Sequence, residues 1–297
     1  MEISAGDHGY KPQSKLWKHF AAICGALYPP LRGIVQLTNS AALSFRNWSF
    51  TNKYPPVNTI TDKERIGMVR DIFPTITSKY DFLNHFLSMR RDIAWRRFAA
   101  KKMRFLKYNR YLDVACGTGD LSIAAALEHP QISVAGIDFV SEMVHAGKSK
   151  IEKKNMAGKI MLMQGDALQI PFDDSTFDVT GIAFGIRNIP QREQALKEML
   201  RVTVPGGQIM ILEMTFISNR FFKFLYYAYL NYLLPLFAKI FSANPAAYHY
   251  LADSIINFPS PDQFAGILEK TGMTKVEKYP LTFGVTWLHI GIKPEQN

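Results

Sequence analysis

Cysteine is scarce in this sequence, which has only Cys24 and Cys116 among its 297 residues. So few thiols exclude a disulfide-stabilised scaffold, and the distance between them in sequence argues against a zinc site. We therefore expect a reducing compartment and no bound metal. The apolar fraction of 47%, with 20% charged residues, excludes a disordered chain and is typical of one large domain with or without an extension.

Uninterrupted apolar runs long enough to span a membrane are missing as well. In the most apolar stretch, residues 221–241, 17 of 21 side chains are apolar, but two lysines, an asparagine and a proline divide it. No run therefore approaches the ~18 residues of a transmembrane helix. We expect residues 221–259 to form an apolar insertion, either ordinary core or a lid or floor for an apolar substrate. Its many aromatic side chains favour the second interpretation.

Acidic residues are absent from residues 8–61, although the whole chain has 25 acidic and 35 basic residues and a net charge of +10. An acid-poor leader can be a transit peptide, but Glu2 and Asp7 lie at the extreme N-terminus and no cleavage pattern follows. We interpret residues 1–60 as a basic N-terminal extension, either a poorly ordered tail or a segment that touches a membrane. The positive charge favours anionic partners or simply serves solubility.

Helical patterns begin the predicted folded domain, residues 61–297. Thr61 and Glu64 have the spacing of a capping box, and apolar residues follow at helical spacing up to Phe73. The spacing of apolar residues predicts a second helix over about 81–103. Its expected apolar stripe consists of Phe82, Phe86, Met89, Ile93 and Phe98.

From Tyr111 onward, strand signals alternate with helical stretches. This alternation predicts an α/β, Rossmann-like fold: a mostly parallel seven-stranded sheet with helices on both faces, which binds ligands at the carboxyl ends of its strands. The last helix has a favourable start in Ser260, Pro261 and Gln263, and Gly272 follows as its C-cap. Strands are predicted at 111–115, 133–137, 160–163, 177–183, 208–213, 274–279 and 286–292, and helices at 120–128, 142–154, 191–202 and 260–271.

The glycine turn in "YLDVACGTGDLSIAAAL", residues 111–127, lacks one element of the nicotinamide-dinucleotide fingerprint. Gly117 and Gly119 allow a sharp turn and the close approach of a ligand, and the helix that follows directs its first amides at the same place. The fingerprint has a third glycine three positions on, where this sequence has Ser122. The turn therefore counts against a dehydrogenase.

Acidic residues lie on three successive strands around this turn. Asp138 follows Gly119 by about 20 residues, where a carboxylate accepts hydrogen bonds from ribose hydroxyls. Asp166 ends the third strand, where it can accept from an adenine amino group while the Ala167 amide faces the ring. Asp113 precedes the turn and either complements a positive ligand or is a buried acid bonded to the amides of the turn. A ribose, an adenine and no third glycine point to S-adenosylmethionine as the cofactor.

Seven motifs stand in order over about residues 61–297: "KYDFLNHFLS", "LDVACGTGDL", "GDALQIPFDDSTFD", "FGIRNI", "VPGGQIMILE", "YLADSIINFP" and "FGVTWLHIGIKP". Together they resemble the ubiquinone/menaquinone-biosynthesis C-methyltransferase family, and "FGIRN" and "YLADSI" are specific to it. The resemblance implies transfer of a methyl group from S-adenosylmethionine to a ring carbon of a polyprenyl hydroquinone. The acceptor would be demethylmenaquinol, 2-methoxy-6-polyprenyl-1,4-benzoquinol, or both.

The site residues implied by the resemblance fall into two groups. Arg187, Asn188 and Tyr80 would face the quinol ring, and Arg187 would stabilise a developing phenolate or order a water that takes the proton. His249 is either the proton acceptor or a helix-surface histidine. Ala183 replaces a serine that is frequent in the family, so a hydroxyl contact to the donor is lost. The donor itself would be held by Gly117, Thr118, Gly119, Asp138, Asp166 and Ala167, with Asp113 and Ala183 beside it.

A polyprenyl substrate and a basic surface predict a peripheral enzyme that takes its quinol from a membrane without spanning it, in the cytoplasm or, in a eukaryote, the mitochondrial matrix. A homodimer is compatible with the sequence. No nucleic-acid partner is expected, because the Asn/Asp-Pro-Pro-Tyr motif of amino-methylating enzymes is missing after the fourth strand. Two alternatives stay open: a methyltransferase of another lipid or small molecule, and a non-catalytic S-adenosylmethionine-binding component of a quinone-synthesis complex.

Overall fold

Seven β-strands form one sheet in the part of the chain that the computed structural model describes, residues 57, 59–215, 226, 229 and 246–295. At positions 78, 246, 248 and 249 only the backbone is described. Nearly all of the predicted N-terminal extension and most of the apolar insertion lie outside the described residues. The strands are β1 (Arg110–Val114), β2 (Ser133–Asp138), β3 (Ile160–Gln164), β4 (Phe177–Ala183), β5 (Thr203–Met214), β6 (Thr274–Leu281) and β7 (Thr286–Ile292).

The order of the strands in the sheet is β3-β2-β1-β4-β5-β7-β6. Neighbours from β3 to β5 are parallel, whereas β7 is antiparallel to both β5 and β6. The expected mostly parallel, seven-stranded α/β sheet is therefore confirmed. Because the order reverses between β1 and β4, the connections after these strands leave in opposite directions and open a crevice at the carboxyl edge. The glycine turn follows β1, and the "FGIRN" segment follows β4.

Helices cover both faces of the sheet, because alternate side chains of a strand point to opposite sides. In β1, Tyr111 belongs to one buried apolar cluster, whereas Leu112 and Val114 belong to another. The helices are α1 (Asp62–Ile76), α2 (Tyr80–Leu87), α3 (Arg91–Lys101), α4 (Asp120–Glu128), α5 (Ser141–Lys153), α6 (Arg192–Val202), α7 (Ala246–Ile256) and α8 (Pro261–Lys270).

Two predicted helix starts are confirmed. The Glu64 amide donates to the Thr61 hydroxyl, and the Thr61 amide donates to the Glu64 carboxylate. Ser260 and Gln263 form the same reciprocal pair at the start of α8. A third apolar cluster packs α1, α2 and α7 against one another. Among the described helices, none has both the length and the apolar character that a membrane crossing requires.

The prediction of one helix over 81–103 is wrong. The helix is interrupted between α2 and α3, where Met89 and Arg90 have left-handed backbone angles, with φ of 52° and 61°. The predicted apolar stripe is not a buried one either, since Phe82, Phe86, Met89 and Ile93 are between 40% and 80% exposed. Helical periodicity does not distinguish an apolar face that packs on the core from one that faces outward.

Candidate active site

The glycine turn joins β1 to α4 through a series of left-handed residues. Gly117 and Gly119 have φ of 55° and 81°, which side-chain-bearing residues rarely adopt. Gly119 is the N-cap of α4 and packs against Leu162, whose side chain a Cβ at this position would approach to 3.3 Å. Gly117 borders a cavity, whereas Gly119 does not. Gly117 is thus the glycine that a ligand can approach, whereas Gly119 allows the turn to pack closely against Leu162.

A cavity of about 130 Å³, which we call the strand-end cavity, lies at the carboxyl edge of the sheet. Five predicted donor-binding residues border it: Gly117, Asp138, Asp166, Ala167 and Ala183. The apolar walls of this cavity were not predicted from the sequence. Two of the wall residues directly follow Asp138, and three others lie on α1, where the sequence predicted only an apolar face that packs on the core. The apolar walls include Phe139, Val140, Ile66, Val69 and Phe73.

Asp138 is held by two backbone amides. Its Oδ2 accepts from the Gly117 N–H at 2.7 Å, and its Oδ1 accepts from the Val140 N–H at 2.9 Å. Burial raises the pKa of this carboxyl, and the two amide hydrogen bonds oppose that shift. Asp166 ends the β3 segment more openly, and its Oδ1 accepts from the Leu168 N–H at 2.9 Å. Each carboxylate keeps lone pairs that a ligand could use.

A second, smaller cavity of about 20 Å³ lies beneath the glycine turn and is bordered by Asp113, Thr118 and Ala183. Asp113 is almost fully buried and accepts a hydrogen bond from the Ser122 hydroxyl at 2.6 Å. Burial raises the pKa of Asp113 to about 7, although the hydrogen bonds from Ser122 oppose this. Ser122 thus stands where the dinucleotide fingerprint has glycine because it supports a buried acid.

A network of charges fixes the turn to its neighbours. Lys150 of α5 donates to Asp81 at 2.6 Å, to Asp120 at 2.7 Å and to the Thr118 hydroxyl at 2.9 Å. The Thr118 hydroxyl in turn donates to Asp81 at 2.6 Å. The predicted donor ligand Thr118 therefore spends its hydroxyl on holding the turn, so its backbone is the part left for a ligand.

Three possible metal ligands, His85, Asp92 and Asp120, lie within 4.8 Å of one another. A cationic side chain is already there, since Arg96 Nη1 lies 2.6 Å from Asp92 Oδ2 and 4.0 Å from Asp120 Oδ2. Burial would raise the pKa of Asp92, but the Ser88 hydroxyl and Arg96 lower it below its usual value. The cluster is a charge-balanced structural network that needs no metal ion.

An apolar cavity of about 410 Å³ lies between α2, α3 and α7. Arg187 enters it from the segment after β4 and is paired from behind with Glu213 at 2.5 Å, and Arg91 and Arg96 of α3 border it as well. Burial alone would lower the pKa of Arg187, but the Glu213 carboxylate outweighs this and raises it. The cavity wall also includes Leu87, Trp95, Tyr226, Tyr229, Leu251 and Ile255.

Glu213 was missed by sequence reasoning, which assigned it only to the end of an apolar strand. Its Oε1 accepts from Arg187 and from the Met214 N–H at 2.8 Å, and its Oε2 accepts from the Arg187 N–H at 3.2 Å. The available signal was a lone charge that ends the otherwise apolar run "IMILE", since a buried charge requires a partner.

Tyr80 borders all three cavities. Burial raises its pKa, although the nearby Arg187 and Arg96 charges oppose the shift. The Tyr80 hydroxyl therefore stays protonated near neutral pH and can donate a hydrogen bond. Phe184 borders the strand-end cavity and the apolar cavity as well.

Arg187 and Asn188, which are both predicted to face the quinol ring, border different cavities. Asn188 borders the strand-end cavity, and its Oδ1 accepts from the Tyr250 hydroxyl at 3.1 Å. Arg187, its neighbour in "FGIRN", faces the apolar cavity instead. His249 lies in α7, but its side chain is outside the described residues.

The chain is similar in sequence to curated methyltransferases. The "Ubiquinone/menaquinone biosynthesis C-methyltransferase UbiE" of Geotalea daltonii is 44% identical over 233 residues, which cover 77% of this chain and 98% of that protein. A demethylmenaquinone methyltransferase of Bacillus cereus is 39% identical over 228 residues, 76% of this chain and 96% of that protein.

The fold also has solved counterparts. The crystal structure of a SAM-dependent methyltransferase from Thermotoga maritima, described as a possible histamine N-methyltransferase, has a TM-score of 0.54 and 17% identity, and the match covers 75% of this chain and 99% of that one. At this identity the likeness shows the fold alone. The sequence model of the ubiE/COQ5 methyltransferase family matches residues 59–293, and the chain belongs to that family.

Proposed function

We propose that this protein transfers a methyl group from S-adenosylmethionine to a ring carbon of a polyprenyl hydroquinone, either demethylmenaquinol or 2-methoxy-6-polyprenyl-1,4-benzoquinol. The observation that carries the proposal is the junction at Tyr80, where the strand-end cavity, with its Asp138 and Asp166 carboxylates, meets the apolar cavity that Arg187 enters with Glu213 paired behind it. A donor and an acceptor bound on opposite sides of Tyr80 would meet there. The names of the 39–44% identical relatives support the quinol as acceptor.

The residues of the strand-end cavity fit the donor. Asp138 keeps free lone pairs for ribose hydroxyls, and the apolar side chains of Phe139, Val140 and Ala167 suit the two faces of an adenine ring. Gly117 leaves its backbone accessible, since a Cβ there would meet only Tyr80, at 4.0 Å. When bound, S-adenosylmethionine supplies an electrophilic methyl group on a positively charged sulfur.

The protein's own chemistry concerns the acceptor ring. A neutral phenol is a weak carbon nucleophile, whereas a phenolate carries charge to its ortho and para carbons. Arg187 cannot act as a base because its guanidinium stays protonated. It stabilises the phenolate as the phenol proton passes to an ordered water, and the protonated Tyr80 hydroxyl is a second donor to the same charge. The ring carbon then takes the methyl group, the sulfur keeps the bonding electron pair as a thioether, and the proton of the methylated carbon leaves to water to restore the aromatic ring. Apolar walls exclude water and thereby strengthen both interactions.

The test uses the purified full-length protein, S-adenosylmethionine and short-tailed forms of both quinols, with the product identified by mass spectrometry. We expect a ring-methylated product from at least one quinol. Arg187→Lys removes the planar fork and should lower kcat about 10²–10³-fold, as for the loss of one aimed donor. Its affinity for the donor in calorimetry should stay unchanged.

Two results would contradict the proposal in different ways. Normal turnover by Arg187→Lys would remove this side chain from the mechanism. No product from either quinol, with the donor still bound, would instead favour the non-catalytic component of a quinone-synthesis complex. A product from a different lipid or small molecule alone would favour the other alternative.

Attachment to a membrane surface is part of the proposal, because a polyprenyl quinol resides in a bilayer. A location in the cytoplasm or, in a eukaryote, the mitochondrial matrix is part of the same proposal. A homodimer and the lack of a nucleic-acid partner stay predictions, which sedimentation and nucleic-acid binding assays can test.

A further inference from the structure

Two strained turns stand at the opening of the apolar cavity. Met89 and Arg90 have φ of 52° and 61° in the turn between α2 and α3, and Thr282 and Phe283 have φ of 45° and 56° in the turn between β6 and β7. Left-handed angles are unusual for residues other than glycine, and a β-branched threonine is a genuine outlier. The Trp95 indole N–H donates to the Thr282 hydroxyl at 2.8 Å and so ties the second turn to α3.

The turns leave two large apolar side chains mostly exposed at the mouth of the cavity. Met89 is 80% exposed and Phe283 is 79% exposed, although both also line the cavity. The same helix–turn–helix segment exposes Phe82, Phe86 and Ile93, and the rings of Phe82 and Phe86 stack at 6.0 Å. We call these five side chains, Phe82, Phe86, Met89, Ile93 and Phe283, the entry face.

Basic residues accompany the entry face. Arg90 and Arg91 are exposed, and within the described part of the chain no carboxylate lies within 4.0 Å of either guanidinium. Unneutralised arginines beside apolar tips complement a surface that is apolar in its interior and anionic at its headgroups. An apolar protein partner would not account for the two cations.

We propose that the entry face inserts into the interfacial layer of an anionic lipid bilayer, so that the apolar cavity opens directly into the membrane. This rests on the proposed function, because a polyprenyl acceptor could then enter the cavity without crossing water. This arrangement gives the strained turns a function, because they project Met89 and Phe283 away from the protein core.

The first test measures insertion at one residue of the full-length protein. Phe283→Cys, made together with Cys24→Ser because Cys116 is buried, is labelled with an environment-sensitive dye. Leu127→Cys is the matched control, since Leu127 is 68% exposed but belongs to α4. With vesicles that contain phosphatidylglycerol, the dye at position 283 should shift to the blue and be quenched by lipid-borne nitroxides. The dye at position 127 should do neither.

The same labelled protein tests the other occupants. A dye at position 283 that is already blue-shifted and shielded without vesicles would show that the chain itself or a second copy covers the face, and dilution would separate these two. Either result overturns the proposal. A dye that stays in water with every vesicle also overturns it.

The second test uses Phe82→Ser/Ile93→Ser, two residues that do not border the apolar cavity. Loss of two partly inserted side chains should weaken vesicle partitioning by about 10- to 100-fold. Leu127→Ser/Met161→Ser is the control, because both residues are exposed outside the entry face. Arg90→Gln should weaken binding to anionic vesicles by roughly fivefold and leave binding to phosphatidylcholine vesicles unchanged.

Turnover separates this inference from the proposed function. Phe82→Ser/Ile93→Ser should methylate a water-soluble, short-tailed quinol at the wild-type rate and lose rate only on a long-tailed quinol in vesicles. Equal loss by the Leu127/Met161 control, or no loss by the entry-face variant, overturns the membrane contact while the methyltransferase stands. Absence of wild-type turnover on the soluble quinol would instead contradict the proposed function, and the dye measurements would still decide on the contact.

Discussion

Replacement of Glu213 by glutamine is the sharpest test of the buried ion pair at the acceptor side. Glu213 and Arg187 are 1% and 8% exposed in their side chains and are 2.5 Å apart. The variant keeps the shape of the side chain but removes its charge, so a guanidinium remains buried without compensation. Breaking a buried pair from one side costs about 3–5 kcal/mol of unfolding free energy, more than the pair itself contributes.

A double variant shows whether the stability lost by Glu213→Gln comes from the uncompensated charge of Arg187 or from an ordinary loss of contacts. If Glu213→Gln destabilises because an uncompensated charge stays buried, Arg187→Met/Glu213→Leu should recover most of the lost stability, since it removes both charges. The double variant should nevertheless lack turnover, because the guanidinium of Arg187 no longer faces the acceptor. Glu213→Gln should lower kcat by about 10²-fold, because Arg187 loses the carboxylate that aims it.

The assay is urea unfolding followed by circular dichroism, combined with kcat and KM on a short-tailed quinol. Glu128→Gln is the control, because its contact with Arg97 is 3.8 Å long and the two side chains are 30% and 70% exposed. This surface pair should change stability by less than about 1 kcal/mol. A double variant as unstable as Glu213→Gln would refute the charge argument.

Further predictions concern three carboxylates and one histidine. The pKa of Asp113 is raised from 3.8 to about 7. The folded state therefore binds more protons than the unfolded state, and the unfolding free energy falls as pH rises from about 4 to about 7, by up to about 1.4 kcal/mol per pH unit. Asp113→Asn should remove this pH dependence in urea unfolding. Burial lowers the pKa of His289 from 6.5 to about 4, so its contribution rises with pH, and His289→Gln should change the slope in the opposite sense. Asp138→Ala should weaken donor binding in calorimetry by about 1.5–3 kcal/mol, and unchanged affinity would refute its contact with the ribose. Asp178 accepts from four backbone amides between Leu106 and Arg110, so Asp178→Ala should cost about 3 kcal/mol or more in the same unfolding measurement.

The sheet could be predicted closely from the sequence because its signals are local. Each strand is a short apolar run between turn residues, and the predicted bounds 177–183 and 286–292 coincide with β4 and β7. The helix caps at Thr61 and Ser260 were predictable for the same reason, since a capping box is a contact three residues long. Sequence patterns of this kind report which backbone groups need a nearby partner.

The features that could not be predicted from the sequence are those that depend on distant parts of the chain. The turn at Met89 and Arg90 contains no glycine, proline or asparagine, so its left-handed backbone leaves no sequence signal. The Arg187–Glu213 pair joins the segment after β4 to a residue near the end of β5, and only the pairing of β4 with β5 brings them together. Site residues that end strands were predictable, whereas their partners required the sheet order.

Charge compensation around Tyr80 explains why two buried ion pairs, Arg187–Glu213 and Arg96–Asp92, lie beside the predicted site residues. Two arginines, Arg187 and Arg96, both act on the pKa of Tyr80, and each is bound to a carboxylate, Glu213 and Asp92 respectively. An unpaired cation at this junction would repel a positively charged sulfur in the neighbouring cavity. A paired arginine can still stabilise a phenolate through its remaining N–H groups. With both arginines balanced by buried carboxylates, this junction could hold the proposed cationic donor and anionic acceptor together. For that reason removal of Glu213 should impair catalysis, although this residue borders none of the three cavities.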